Sequence, residues 1–165
     1  APLRADGPHR PAGGAPRPTV PALSPSLGPA TDPSDFSLYA DIDATWPPEI
    51  DIMESRGDIP AQVTQANHYG RYPNNHYVSN AFVLPQGQPD FTQDFHKFKI
   101  VWDPSQVVWL IDDQQVFRVT DNVPTEKMYM IINLAVGGTY SGYPDGSTPF
   151  PSYMLVDYVT VHRWQ

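Results

Sequence analysis

The chain has no cysteine, which excludes a disulfide framework, a thiolate nucleophile and any Cys-ligated zinc centre. Long hydrophobic runs are missing too. No apolar stretch reaches the roughly 18 residues of a membrane-spanning helix, and the opening residues Ala1 to Arg10 lack both an initiator Met and the apolar segment of a signal peptide. The expectation is a soluble chain, processed or partial, with no membrane partner. Positive charge is scarce, with ten Lys and Arg against 18 Asp and Glu and a formal charge of -8. That balance argues against nucleic acid or an anionic lipid surface as partner, since both need clustered Lys and Arg. What is present is 165 residues, enough for one domain, with 12% aromatic and 17% charged residues. This composition suits a β-rich domain and a binder of sugars or other flat ligands.

Composition divides the chain. Residues 1–35 hold nine of the 20 prolines and four of the 11 glycines, with no Phe, Trp or Tyr. Such a segment cannot bury enough apolar surface to offset its ordering entropy and is expected to be disordered. Its charges cancel, Arg4, Arg10 and Arg17 against Asp6, Asp32 and Asp35, so residues 36–165 carry the net charge. From Phe36 onward nothing has a helical period, and the apolar pattern has a period of two. His96, Phe98, Ile100 and Trp102 alternate with Lys97 and Lys99 as in a half-buried strand. Val107 to Ile111 and Gln115 to Thr120 flank a turn at Asp112-Asp113, while Met128 to Ala135 and Tyr153 to His162 are long, mostly apolar strands. Gln62 to Tyr69, Tyr77 to Leu84 and Glu49 to Glu54 complete about seven or eight strands, the pattern of an all-β antiparallel sandwich.

The densest chemistry lies in Trp46-Pro47-Pro48-Glu49-Ile50-Asp51-Ile52-Met53-Glu54. On a regular strand Glu49 and Asp51 share one face and Glu54 falls on the other. One extra residue bulged out near Met53 restores Glu54 to the face of its neighbours. Four effective steps then separate the Glu49 and Glu54 Cα atoms by about 13 Å, a gap that two glutamate side chains leaning together can largely close. The spacing permits both the retaining and the inverting geometry of a glycosidase. Three carboxylates this close cannot all ionise at their ordinary values, so one is expected to stay protonated near neutral pH, as an acid catalyst requires. Two plainer readings stand beside this one: an acidic, solvent-facing edge strand, or a carboxylate cage for a divalent cation with His68 nearby.

The stretch Glu-Ile-Asp-Ile-Met-Glu after Trp-Pro-Pro resembles the active-site strand of glycoside hydrolase family 16 in its laminarinase-like, bulged form. Further segments resemble the family in order. They are Asp94-Phe95-His96-Lys97-Phe98 through Trp102, Val107-Val108-Trp109-Leu110-Ile111-Asp112, Ile132-Asn133-Leu134-Ala135-Val136-Gly137-Gly138, and Ser147-Thr148-Pro149-Phe150-Pro151 through Val159. Ordered matches over roughly residues 36 to 163 are far more specific than six residues. The resemblance implies a concanavalin-like jelly-roll sandwich of two curved sheets with a sugar cleft on the concave face. It implies a retaining endo-glycosidase acting on β-1,3 or mixed β-1,3/1,4 glucan, with Glu49 as nucleophile, Glu54 as general acid/base and Asp51 orienting and tuning Glu49. A polysaccharide substrate, a secreted monomer and catalysis without a cofactor follow from the same likeness. The alternative from another class is a β-sandwich carbohydrate-binding protein without catalysis, or an inactive fragment of such an enzyme.

His68 is expected beside the carboxylate strand; the resemblance implies a place near the catalytic acid, and the plainer reading is a surface histidine that satisfies its own hydrogen bonds. Trp46, Trp102, Trp109 and Tyr140 are candidate sugar platforms, Trp46 foremost, with Trp102 and Trp109 equally readable as core. Asn133 is a buried hydrogen-bonding residue or a cleft contact, the latter by resemblance. Asp157 is the one charge in the run from Met154 to Val161 and needs a partner if buried; the resemblance implies a structural calcium there, the plainer reading an Arg. The chain departs from the family before the motif. Residues 1–33 match none of the strands that precede it in family members, so the sandwich is expected to be incomplete and the chain by itself a poor catalyst.

Overall fold

The structure, a computed structural model, describes residues 23–24, 34–40 and 46–162. These form ten strands: β1 (Leu23–Ser24), β2 (Ser34–Ala40), β3 (Glu49–Ser55), β4 (Gln62–Arg71), β5 (Asn74–Val83), β6 (Phe98–Asp103), β7 (Gln106–Ile111), β8 (Gln114–Val119), β9 (Met128–Leu134) and β10 (Tyr153–Met154). Among the described residues there is no helix. Period-two alternation with Pro, Gly, Asn and Asp at the breaks yields strands because each face then carries one kind of side chain. Asp112 and Asp113 both adopt positive φ, 49° and 67°, as a two-residue hairpin turn requires.

The strands form a five-stranded sheet, β5-β4-β3-β2-β9, a three-stranded sheet, β6-β7-β8, and a two-stranded ladder, β1-β10. Every pairing is antiparallel. The two larger sheets pack face to face through two apolar clusters. Met53 and Val63 meet Phe91 and Ile111 in one, and Ile50 meets Val107, Trp109 and Val119 in the other. Phe98, Ile100 and Trp102 pack against these clusters from β6, on the face that their alternation assigned to them.

Two expectations meet the structure only in part, and a third needs correction. The domain boundary expected at Phe36 lies inside β2, whose pairing with β3 and β9 begins at Asp35 and Ser34; backbone ladders extend past the last apolar side chain because peptide groups, not side chains, make the bonds. The expected disorder of residues 1–35 falls largely outside the described residues, but Leu23 and Ser24 pair with Met154 and Tyr153. Among the described residues the long last strand is reduced to the two-residue β10, and residues 155–162 pair with no described strand. Apolar alternation alone does not make a strand without neighbouring backbone to bond. Val156, Tyr158, Val159 and Val161 are accordingly exposed, and so is Asp157.

Candidate active site

The site is built on β3, whose bulge lies where the sequence required one. Asp51 pairs with Ala66 and Glu54 with Thr64, so Ile52 and Met53 together oppose the single residue Gln65 of β4. The same extra residue appears against β2, where the consecutive Phe36 and Ser37 pair with Met53 and Asp51. Ile50, Ile52 and Met53 are all buried, while Glu49, Asp51 and Glu54 pair with His68, Ala66 and Thr64, which share one face of β4. The bulge thus lets three apolar residues reach the core without sending Glu54 there after them. Glu49 and Glu54 are opposite residues four apart on β4, the four effective steps of about 13 Å inferred from the sequence.

Each carboxylate is held by a neighbour. Trp46 Nε1 donates to Glu49 Oε2 at 2.5 Å. Asp51 is buried, and its two oxygens take Ser37 Oγ at 2.8 Å and His68 Nε2 at 2.9 Å. Thr64 Oγ1 donates to Glu54 Oε2 at 3.3 Å and meets the Tyr140 hydroxyl at 3.2 Å. From the core side, the indole Nε1 of the buried Trp109 donates to the backbone carbonyl of Asp51 at 2.8 Å, next to the bulge. Ser37 and Thr64 were not singled out by sequence as site residues, and Trp109 was read only as a sugar platform or a core residue. Ser37 and Thr64 are short hydroxyl residues in polar stretches, and only the cross-strand register brings them to the carboxylates.

The other expected site residues divide. Trp46 lies at the mouth of β3, half-exposed, with its ring 5.8 Å from that of His68, which is in turn 5.5 Å from Tyr77. Asn133 is exposed and pairs with Asp35, which itself pairs with Glu54, so Asn133 occupies the same transverse row of the sheet as Glu54. Tyr140 stands over the Glu54 end, half-exposed. Trp109 and Trp102 are not platforms: Trp109 is core, and Trp102 packs on it with its indole bonded to the Pro124 carbonyl. Asp157, expected among apolar neighbours and in need of a partner, is exposed and carries no such desolvation cost.

Glu49, Asp51 and His68 do bring ligand atoms within 4.8 Å of one another, which is the cation-cage reading. Their hydrogen bonds to Trp46 and Ser37, and between Asp51 and His68, make a linked cluster of the kind that orients catalytic carboxylates, in which the buried His68 Nδ1 has no hydrogen-bond partner. Burial pushes the His68 imidazole down, but the bond to Asp51 and the charges of Asp51, Glu49 and Glu54 outweigh it and raise its pKa. A histidine whose folded pKa exceeds its unfolded value near 6.5 stabilises the fold fully below that value and ceases to do so as pH rises through the folded pKa. The melting-temperature advantage of the parent over His68→Gln is therefore expected to be largest at about pH 6 and to shrink by pH 9. Circular dichroism melts of the two proteins across that range measure it, and an advantage that grows with pH would contradict the pairing.

Residues 34–158 match the family described as glycosyl hydrolases family 16. The chain is 36% identical over 135 residues to glucan endo-1,3-beta-glucosidase A1 of Niallia circulans, a match covering 71% of this chain and 19% of that protein. The laminarinase catalytic domain from Thermotoga maritima superposes with a TM-score of 0.65 at 34% identity, covering 75% of this chain and 54% of that one. A beta-1,3-glucan-binding protein of Penaeus monodon is 28% identical over 142 residues, 64% of this chain and 38% of that protein. The chain spans about half the length of such solved domains or less of the longer relatives. Its strands, its two packed antiparallel sheets and the match over residues 34–158 agree: this chain belongs to glycosyl hydrolases family 16 and has the family's all-β jelly-roll sandwich architecture.

Proposed function

We propose that the chain carries the catalytic strand of a retaining endo-glycosidase that hydrolyses β-1,3 or mixed β-1,3/1,4 glucan. The observation that carries this reading is the bulge of β3, which sets Glu49, Asp51 and Glu54 on one face, each with a hydrogen-bonding neighbour. In the first step Glu54 gives its proton to the glycosidic oxygen as the bond to the leaving sugar breaks, while a Glu49 oxygen bonds to the anomeric carbon. In the second step Glu54, now ionised, takes a proton from water. The water oxygen bonds to the anomeric carbon from the face the leaving sugar vacated and Glu49 departs, so the β configuration is kept. Asp51, bonded to Ser37 and His68, sits on the Glu49 side of this exchange and fixes the local charge. No step calls on a cofactor.

Trp46 and Tyr140 offer aromatic faces on which pyranose C–H surfaces stack, and Asn133 adds an amide in the Glu54 row. The substrate is a polysaccharide too large to enter a cell, so the site of action is extracellular, and the chain acts as a monomer. The likeness to a beta-1,3-glucan-binding protein of Penaeus monodon favours a second reading, glucan binding without turnover. Proton NMR of laminarin digests separates the readings. Newly formed reducing ends that appear first as the β anomer support the retaining hydrolase, an initial α anomer refutes retention, and retention on laminarin without new reducing ends supports the binder.

A further inference from the structure

Tyr140 lies in the stretch between β9 and β10, which turns at Gly137 and Gly138, both at positive φ. A Cβ on Gly137 would come within 2.9 Å of Pro144 Cδ, so the turn closes tightly enough to need glycine there. It brings the Tyr140 hydroxyl to within 3.2 Å of Thr64 Oγ1 on β4, and that hydroxyl is 3.3 Å from Glu54 Oε2. Arg56, just past the end of β3, holds its guanidinium 5.2 Å from the centre of the Tyr140 ring and is itself gripped by both Asp58 oxygens, at 3.0 and 2.6 Å. A cation over a ring face adds attraction, so the tyrosine is seated from two sides.

A threonine hydroxyl has one proton. Donated to Glu54, it leaves only lone pairs toward Tyr140, so the phenol must be the donor of the second bond. The order is Tyr140 to Thr64 to Glu54, and each bond polarises the next. We propose that Thr64 and Tyr140 form a hydrogen-bond relay that orients the Glu54 carboxyl and stabilises its ionised form. The relay rests on the assignment of Glu54 as acid/base for its catalytic meaning, but not for its existence. It acts in the second step, where Glu54 must be an anion able to take a proton from water, and it limits how far the two neighbouring carboxylates, Glu49 and Asp51, raise the proton affinity of Glu54. Burial together with the Glu54 charge keeps the Tyr140 phenol protonated, against the opposing Thr64 bond.

Other charged or titratable groups face Glu54 as well. Glu49 and Asp51 lie on its own strand, His68 lies on β4, and Arg56 lies beyond the end of β3. The acids raise its affinity for a proton and the cations lower it, so the relay is isolated only by uncharged substitutions. The chain has three glutamates, Glu49, Glu54 and Glu126. Protein labelled with ¹³C at the glutamate carboxyl carbon therefore gives three signals, and Glu54→Gln assigns one.

Titrated without substrate, the Glu54 signal of Thr64→Val is expected to move its midpoint upward by about half to one pH unit, as loss of a bond to a charged acceptor implies. Tyr140→Phe is expected to move it the same way by less, and the double variant no further than Thr64→Val. Thr64→Ser, which keeps the hydroxyl, is expected to restore the parent midpoint and guards against a packing effect. An unmoved midpoint in Tyr140→Phe overturns the relay, as does a double variant whose shift is the sum of the singles. If the midpoints move as expected while the same residues in an active-length, folded protein release no reducing ends from laminarin, the hydrolase reading fails and the relay stands.

Discussion

In an active, full-length context, Glu49→Ala is expected to abolish laminarin turnover and to regain activity on an activated aryl β-glucan oligosaccharide when azide is added, giving a glycosyl azide of inverted α configuration. With the nucleophile gone, the anomeric carbon faces a cavity that fits a small anion. One displacement by azide inverts the centre where two would have restored it. Glu54→Ala is expected to lose about 10²–10⁴-fold on laminarin but far less on the aryl glycoside, whose leaving oxygen departs without a proton. Azide then attacks the accumulated glycosyl-enzyme and yields the β azide. The two variants thus give opposite stereochemistry from one reagent, and the configuration read by NMR assigns nucleophile and acid/base separately. The same azide anomer from both, or no product from either in a folded protein, would refute the assignment. Folding of each variant is checked by its melt, because Glu49 accepts from Trp46 and Glu54 from Thr64.

Trp109→Ala is expected to cost about 3–5 kcal/mol of folding stability, a large share of the roughly 5–15 kcal/mol that a domain has. Trp109 is among the largest fully buried side chains and sits 4.8 Å from the Phe117 ring, packed with Ile50, Val107 and Val119. Truncation opens a cavity between the two larger sheets, directly beneath the catalytic strand. Trp109→Phe keeps a six-membered ring in the core and loses the pyrrole portion with its donor to the Asp51 carbonyl. Its expected cost is about 1–3 kcal/mol. Urea unfolding measures both, read as a lower midpoint with an unchanged slope. A Trp109→Phe midpoint equal to the parent's would mean that the indole bond contributes nothing at the bulge. A changed slope in Trp109→Ala would mean that the domain no longer unfolds as one unit.

Much of this protein is legible in its residues because local rules govern it. Alternation in residues 98–103 and 106–111 assigns faces within a strand, Asp112-Asp113 announces its turn, and a charge pattern that breaks step between Asp51 and Glu54 requires a bulge wherever the strand lies. Family likeness supplied the order of these pieces. Tertiary structure decided what depends on which strands become neighbours. Alternation could not choose between core and platform for Trp109, and the packing of the three-stranded sheet beneath β3 made it core. Nor could it give Asp51 its two partners, which come from β2 and β4, 14 residues before it and 17 after it. Tyr140 reaches Thr64 across 76 residues, a contact that no local pattern encodes. Asp157 and its apolar neighbours have the pattern of a buried strand yet lie exposed, because burial belongs to a pair of packed surfaces, whereas a pattern describes only one of them.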